Sequence, residues 1–119
     1  ALGPGVVEAL ARTAGLLRRD ADLLEALAED ALGRAVRHRS TEHAELDVVA
    51  LAAEHPALRT RVLYRVLVET SGCGGAYAAR HVDAVDRLVT DYHGQGAADL
   101  PGRVTARRSG DALVIERRG

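Results

Sequence analysis

The sequence predicts a mainly α fold of the α+β class, with a long first helix, several shorter helices and a C-terminal β-hairpin. Three observations predict it. A seven-residue apolar repeat occupies residues 1–36, helical apolar spacing returns in residues 47–91, and strand-like alternation follows in residues 103–117. Aromatic residues make up only 3% of the chain, so its core must consist of Leu, Val and Ala.

The first helix is predicted from Pro4, which suits a first helical turn, to about Val36. Two rows of apolar residues recur every seven positions: Leu10, Leu17, Leu24 and Ala31 in one, and Val7, Ala14, Ala21, Ala28 and Ala35 in the other. Four further leucines widen this stripe: Leu16, Leu23, Leu27 and Leu32. Residues 1–36 are therefore interpreted as a long linker or packing helix.

The middle of the chain predicts a helical core at residues 47–91, within one domain of 119 residues. Residues 34–46 are predicted to be a polar loop with a short strand around Val36–Arg39. Three helices should follow: Val48–Ala53 with Asp47 as its N-cap, Pro56 to about Glu69, and Ala78 to Asp91. Residues 97–102 are predicted to be a loop, and the hairpin occupies 103–117.

The basic residues are all arginine, and the formal net charge is −1. Arginine enrichment indicates either selection for phosphate contacts or a GC-rich genome, and the abundance of alanine favours the second. A nearly neutral chain is not a polycation. Any nucleic-acid binding must therefore depend on a local basic patch.

The residue types that usually carry catalysis occur here without their usual partners. The glycine-rich segment at residues 71–75 lacks the lysine of a phosphate-binding loop and is interpreted as a helix–helix linker. Cys73 has no adjacent base, and His38 and His43 have no third metal ligand. The acidic run on the first helix, from Asp20 to Asp30, is interpreted as a solvated face, with a cation site as the alternative. No catalytic residue, metal or cofactor is predicted in this chain.

Arginine clusters are the strongest candidates for a binding surface. They occur at the end of the first helix, on the helix that begins at Pro56, and on the hairpin. The chain lacks an aromatic platform for stacking bases, which argues against a stand-alone single-strand binder.

Several segments, taken in order, resemble the region that follows the catalytic domain in tRNA(Ile)-lysidine synthetases. The first is Gly3-Pro4-Gly5-Val6-Val7-Glu8-Ala9-Leu10, and the second is Leu46-Asp47-Val48 followed by Pro56-Ala57-Leu58-Arg59. The third is the closing pattern Ala79-Arg80-His81-Val82, Leu88, Gln95-Gly96, Asp99-Leu100-Pro101-Gly102 and a short hairpin. The resemblance covers nearly the whole chain and depends on the order and spacing of these segments.

The resemblance implies that this chain is the tRNA-binding domain of a cytoplasmic bacterial ligase. The parent enzyme would use ATP and Mg²⁺ to attach lysine to C2 of cytidine 34 in the CAU anticodon of an isoleucine tRNA. Its ATP-pyrophosphatase domain is absent from this chain, and so is that domain's Ser-Gly-Gly-x-Asp-Ser loop. Charge and placement nominate eight tRNA contacts: Arg37, Arg39, Arg59, Arg61, Arg65, Arg103, Arg107 and Arg108.

Two alternatives to tRNA binding remain open at this stage. One is an antiparallel helical dimerisation module that uses the seven-residue repeat, and the other is a helical regulatory domain that binds another protein. The chain contains no methionine, which predicts that it is a module of a longer protein that includes the catalytic domain. Dimerisation does not exclude tRNA binding, because a binding domain can also dimerise.

Overall fold

The computed structural model describes residues 4–72 and 76–119, which form four helices and five strands. In chain order they are α1 (Pro4–Ala35), β1 (Val36–Arg39), β2 (His43–Asp47), α2 (Val48–Ala52), α3 (Pro56–Ser71), α4 (Ala79–Thr90), β3 (Ala98–Leu100), β4 (Val104–Ser109) and β5 (Ala112–Arg117). Cys73 and the middle of the predicted helix–helix linker lie outside the described residues.

The helix boundaries have local chemical causes. The predicted starts of α2 and α3 are confirmed, whereas these helices end at Ala52 and Ser71 instead of Ala53 and Glu69. The carboxylate of Asp47 caps α2 by accepting from the backbone N–H of Val49 at 2.9 Å. Pro56 occupies the first turn of α3, where its missing N–H costs no hydrogen bond. Gly72, with a φ of 67°, ends this helix in the left-handed conformation that favours glycine.

The C-terminal hairpin is confirmed, but it is the centre of a larger sheet. All neighbouring strands are antiparallel, in the order β1-β2-β5-β4-β3. The prediction of loops at residues 34–46 and 97–102 was therefore wrong where β2 and β3 lie. The fold is α+β with a five-stranded sheet, not a helical domain with a simple hairpin.

One face of the sheet carries the hydrophobic core. Its side chains include Leu46, Val104, Leu113 and Ile115, which are fully buried. Helices α3 and α4 lie against this face and contribute Leu63, Leu67, Val85 and Leu88. The core is aliphatic, as the composition predicts, apart from the largely buried ring of Tyr77.

Only the last turns of α1 join this core. Ala28, Ala31, Leu32 and Ala35 are buried, whereas Leu10 and Leu17 expose 61% and 64% of their surface. The predicted apolar stripe is thus covered at its C-terminal end and open along most of its length. The molecule is correspondingly elongated, with extents of 57 × 28 × 25 Å.

Candidate nucleic-acid interface

The structure separates the eight arginines predicted to contact RNA into three locations. Arg39, Arg59, Arg61 and Arg65 lie on the helical side of the molecule. Arg37, Arg103 and Arg107 lie at the face of the sheet that no helix covers, and Arg108 lies at the end of α4. The sequence-predicted set is therefore not one contiguous surface.

Arg59 is part of the protein interior. It retains only 8% of its surface, and its Nε donates to Oδ1 of Asp86 at 2.5 Å while Nη2 donates to Oδ2 at 3.3 Å. Its Nη1 donates to the carbonyl oxygen of Glu54 at 3.2 Å. This bidentate pair joins α3 to α4, so the guanidinium is occupied by the fold.

The other helical-side arginines are paired with carboxylates at the surface. Arg61 donates to Glu25 at 2.6 Å, and Arg65 pairs with both Glu25 and Glu29. Arg39 pairs with Glu69 near the end of α3. Three arginines thus meet three carboxylates, and a phosphate would have to displace existing ion pairs.

Arg108 supports the end of α4. Its Nη1 donates to the carbonyl oxygen of Leu88 at 3.1 Å, and its guanidinium lies 4.7 Å from the centre of the Tyr92 ring. The last carbonyls of a helix have no partner within the helix, and a cation there also interacts favourably with the helix dipole.

We expect Arg108→Gln to lower the free energy of unfolding by about 1 kcal/mol, because it removes these bonds to the α4 carbonyls. Urea unfolding monitored by circular dichroism would measure the change. Arg107→Gln is the matched control on the same strand and should leave stability almost unchanged. Equal losses in the two variants would remove Arg108 from this capping role.

The face of the sheet opposite the helices is accessible, and we call it the open sheet face. Strand alternation and register place on this side His38, His43, Glu45, Thr105, Arg107, Val114 and Glu116. Val114 is buried, and the other six side chains are half-buried or exposed. The rings of His38 and His43 lie 5.4 Å apart. Glu116 lies 3.4 Å from Nδ1 of His43 and 3.6 Å from Nε of Arg107.

A basic corner, formed by Arg103, Arg117 and Arg118, adjoins this face where β4 begins and β5 ends. The backbone N–H of Arg118 donates to the carbonyl oxygen of Arg103 at 2.7 Å, which fixes the two residues side by side. Together with Glu42, Gly102 and Gly119 they line a depression of about 470 Å³. Arg117 donates to the carbonyl oxygen of Ser71 at 3.1 Å and pairs with Glu42 at 2.7 Å, so the corner is a concave site in which Arg103 and Arg118 are the less occupied guanidiniums.

Within residues 4–72 and 76–119, the side chain of Arg103 has no hydrogen bond or ion pair. Arg103 is also the one non-glycine residue of these ranges with a positive φ, 62°. It follows Gly102, whose turn packs against Ser71 closely enough that a Cβ there would lie 3.2 Å from that side chain. Arg118 meets Asp99 only at 3.7 Å. These two guanidiniums are the most available cations of the sheet side.

Sequence reasoning missed part of this surface. It did not nominate Arg118, and it did not bring His38 and His43 together on one sheet face because it missed β2. The only sequence signal was the alternation of polar and apolar residues from His43 to Asp47, which is short and polar. Arg12, Arg18 and Arg19 on α1 were also not nominated, and they have no carboxylate partner among the described residues.

Neither a metal site nor a membrane-spanning segment emerges from the described part of the chain. Its His, Cys, Asp and Glu side chains form no group of three with the geometry to hold a metal ion. None of its helices is both long and apolar enough to cross a bilayer.

Comparisons with known proteins agree on one family. Residues 46–114 match a family model described as "TilS substrate binding domain". A tRNA(Ile)-lysidine synthase of Streptomyces coelicolor is 51% identical over 97% of this chain and 32% of its own length. Similar proteins of the same name from Thermobifida fusca and Bifidobacterium animalis are 45% and 38% identical, over 96% and 95% of the chain and 34% and 32% of their own lengths. The chain spans about a third of the length of these relatives.

Proposed function

We propose a function from one premise: the chain belongs to the family of TilS substrate binding domains. In this proposal it is the tRNA-binding part of a cytoplasmic tRNA(Ile)-lysidine synthase, a ligase that attaches lysine to cytidine 34 of the CAU anticodon. The domain holds the tRNA, and the parent's catalytic domain, with its ATP and Mg²⁺, performs the chemistry. The names of the relatives, which match the chain almost from end to end, support this assignment.

We assign the binding of ATP and Mg²⁺ to the parent's catalytic domain and the holding of the tRNA to this domain. The domain can contribute by positioning the RNA. Holding an RNA in a fixed orientation converts an encounter between two molecules into a reaction within one complex.

The basic corner is the observation that carries the choice of surface. Arg103 and Arg118 are the sheet-side guanidiniums least occupied by carboxylates, and arginine matches phosphate oxygens bidentately. Arg107 and Arg37 extend this surface along the open sheet face. The rings of His38 and His43 lie on the same face, so a base can be contacted beside the phosphate track.

The helical-side arginines are weaker candidates for the same task. Phosphate binding at Arg39, Arg61 or Arg65 requires the loss of an ion pair with Glu69, Glu25 or Glu29. Arg59 is committed to Asp86, and Arg108 to the end of α4. We therefore place the tRNA backbone across the open sheet face and the basic corner.

Binding of this chain to a CAU-anticodon isoleucine tRNA, at several salt concentrations, tests the proposal. The unmodified chain should bind in a salt-sensitive manner, because binding to phosphates releases counterions. Replacing Arg103, Arg107 and Arg118 together by Gln should weaken binding about tenfold or more. It should also flatten the slope of log K against log salt by about 2, or 0.7–0.9 for each contact.

The matched control is the combined replacement of Arg39, Arg61 and Arg65 by Gln, which removes the same charge from the other side of the molecule. We expect this control to bind tRNA, and its slope of log K against log salt to fall by less than half as much as that of the first triple variant. Elongator methionine tRNA, added as competitor, measures discrimination between tRNAs. Equal losses in both triple variants, or a loss only in the control, would contradict the assignment to the open sheet face.

A further inference from the structure

The first six turns of α1 present an apolar face that nothing in the described structure covers. Of the ten large hydrophobic residues exposed in the described ranges, seven lie on this helix: Val6, Val7, Leu10, Leu16, Leu17, Leu23 and Leu27. Isolated exposed hydrophobic residues are ordinary, but a contiguous row on one helix marks an interaction surface. None of the residues proposed to contact tRNA lies on it.

The geometry of α1 defines where this face is free. Glu25 pairs with Arg61 and Glu29 with Arg65, and both pairs are 36 residues apart, so α1 and α3 run in the same direction where they touch. The first buried residue of α1 is Ala28. Leu24 is half-buried and Glu25 is paired with Arg61, so residues 4–23 project from the body, over a length of about 30 Å at 1.5 Å per residue.

We propose that a second copy of this chain covers this face, through an antiparallel pairing of the two α1 helices about a two-fold axis near Gly15 and Leu16. In this register Leu17 lies opposite Ala14 of the second copy, Leu10 opposite Ala21, and Leu24 opposite Val7. Each large residue meets a smaller one, and the alanines allow the helix axes to approach closely. The apolar rows of one α1 helix are thus complementary in size to the same rows of a second, antiparallel α1 helix.

The end of the free segment agrees with this register. Pro4 of one copy would lie opposite Leu27 of the other, immediately before Ala28, the first buried residue of α1. Val6 would lie beside Leu27 at the edge of the pair. Leu16 and Leu23 lie outside this interface and stay exposed in the pair.

The charged residues beside the apolar rows favour this register over the register that is shifted by seven residues towards the C-terminus. In the proposed register Arg18 faces Ala11 and Asp20 faces Thr13, so no like charges meet. A shift by one repeat places Arg18 opposite Arg18 and Asp20 opposite Asp20, which is unfavourable. A shift in the other direction brings Asp20 opposite Val6 and leaves Leu24 without a partner.

The expected affinity follows from the size of the contact. About 14 of the 24 residues from Pro4 to Leu27, four of every seven, would face the second copy. A standard interface uses about 20–30 residues a side, so this one is small and a dissociation constant of the order of micromolar is expected. Two-fold pairing of identical surfaces also closes the assembly at a dimer.

Sedimentation equilibrium of the whole 119-residue chain, from about 1 to 100 µM, tests the proposal. The unmodified chain should approach twice its mass of 12.6 kDa within this range. Leu17→Glu should be monomeric throughout, because it places a charge in the centre of the pair, and Ala14→Lys should weaken the dimer at least tenfold. An equimolar mixture of these two variants should form a heterodimer, because the carboxylate introduced in one chain would face the ammonium group introduced in the other.

Ala26→Glu and Ala26→Lys are the matched controls, since Ala26 is exposed on the opposite side of α1. Both should dimerise as the unmodified chain does. Circular dichroism should show unchanged folding in all variants, because Leu17 is 64% exposed in the single chain. A monomer at 100 µM would overturn the proposal and leave the face for another protein or for a longer form of this one. Dimers that survive Leu17→Glu, or variants that fail to pair with each other, would overturn the register.

Discussion

Replacing Arg59 by Gln should lower the free energy of unfolding by about 3 kcal/mol, the usual cost of leaving one partner of a buried ion pair alone. Arg59 and Asp86 are the most buried of the ion pairs within the described residues, with side chains 9% and 18% exposed. Glutamine cannot replace the bidentate contact or the bond to the carbonyl oxygen of Glu54. Urea denaturation of the unmodified chain and the variant would measure the difference.

Arg61→Gln is the matched control for this prediction. It lies on the same helix and also loses an ion pair, but its partner Glu25 is 50% exposed and the pair is solvated. Exposed pairs of this kind contribute roughly 0–1 kcal/mol. If Arg59→Gln instead left stability unchanged and reduced tRNA affinity, its guanidinium would be available to RNA and the structural assignment would be wrong.

The predictable part of the fold is the part that local chemistry determines. Pro56 begins α3, Asp47 caps α2, and the change from helical spacing to alternation marks the hairpin; each of these features depends on residues close together in the chain. The length of α1 follows in the same way from the repeat of leucine and alanine. In these segments local and tertiary preferences agree.

The strands β2 and β3 were not predictable because their stability comes from distant partners. β2 has only two buried positions, Ala44 and Leu46, and it is held between β1 and β5, although β5 lies nearly 70 residues later. β3 has three residues and pairs only with β4. Such short segments have too few alternations to indicate a strand by themselves.

The same distinction applies to the candidate interface. Charge alone placed Arg59, Arg61 and Arg65 on one helix, but their carboxylate partners come from α1 and α4 and could not be read from α3. The availability of Arg103 depends on a turn in which two successive residues have a positive φ. Whether an arginine is free to hold a phosphate is thus a property of the tertiary structure.

The membership of residues 43–47 in the sheet has a measurable consequence: Leu46→Ala should lower the free energy of unfolding by about 3 kcal/mol. Leu46 is fully buried, lies opposite Leu113 of β5, and points into the core under the helices. Truncation to alanine removes buried surface and leaves a cavity that neighbouring strands cannot easily close. A leucine in a polar surface loop would lose much less.

Val49→Ala provides the comparison, because Val49 is three residues away and 63% exposed on α2. Alanine is also the better helix former, so that variant should be neutral or slightly more stable. Urea unfolding of both variants, with hydrogen exchange at the β2 amides, separates the two environments. A small effect of Leu46→Ala together with rapid exchange throughout residues 43–47 would mean that this segment is the loop its polar sequence suggests. The open sheet face would then lose His43 and Glu45, and the basic corner would have to bind RNA with β4 and β5 alone.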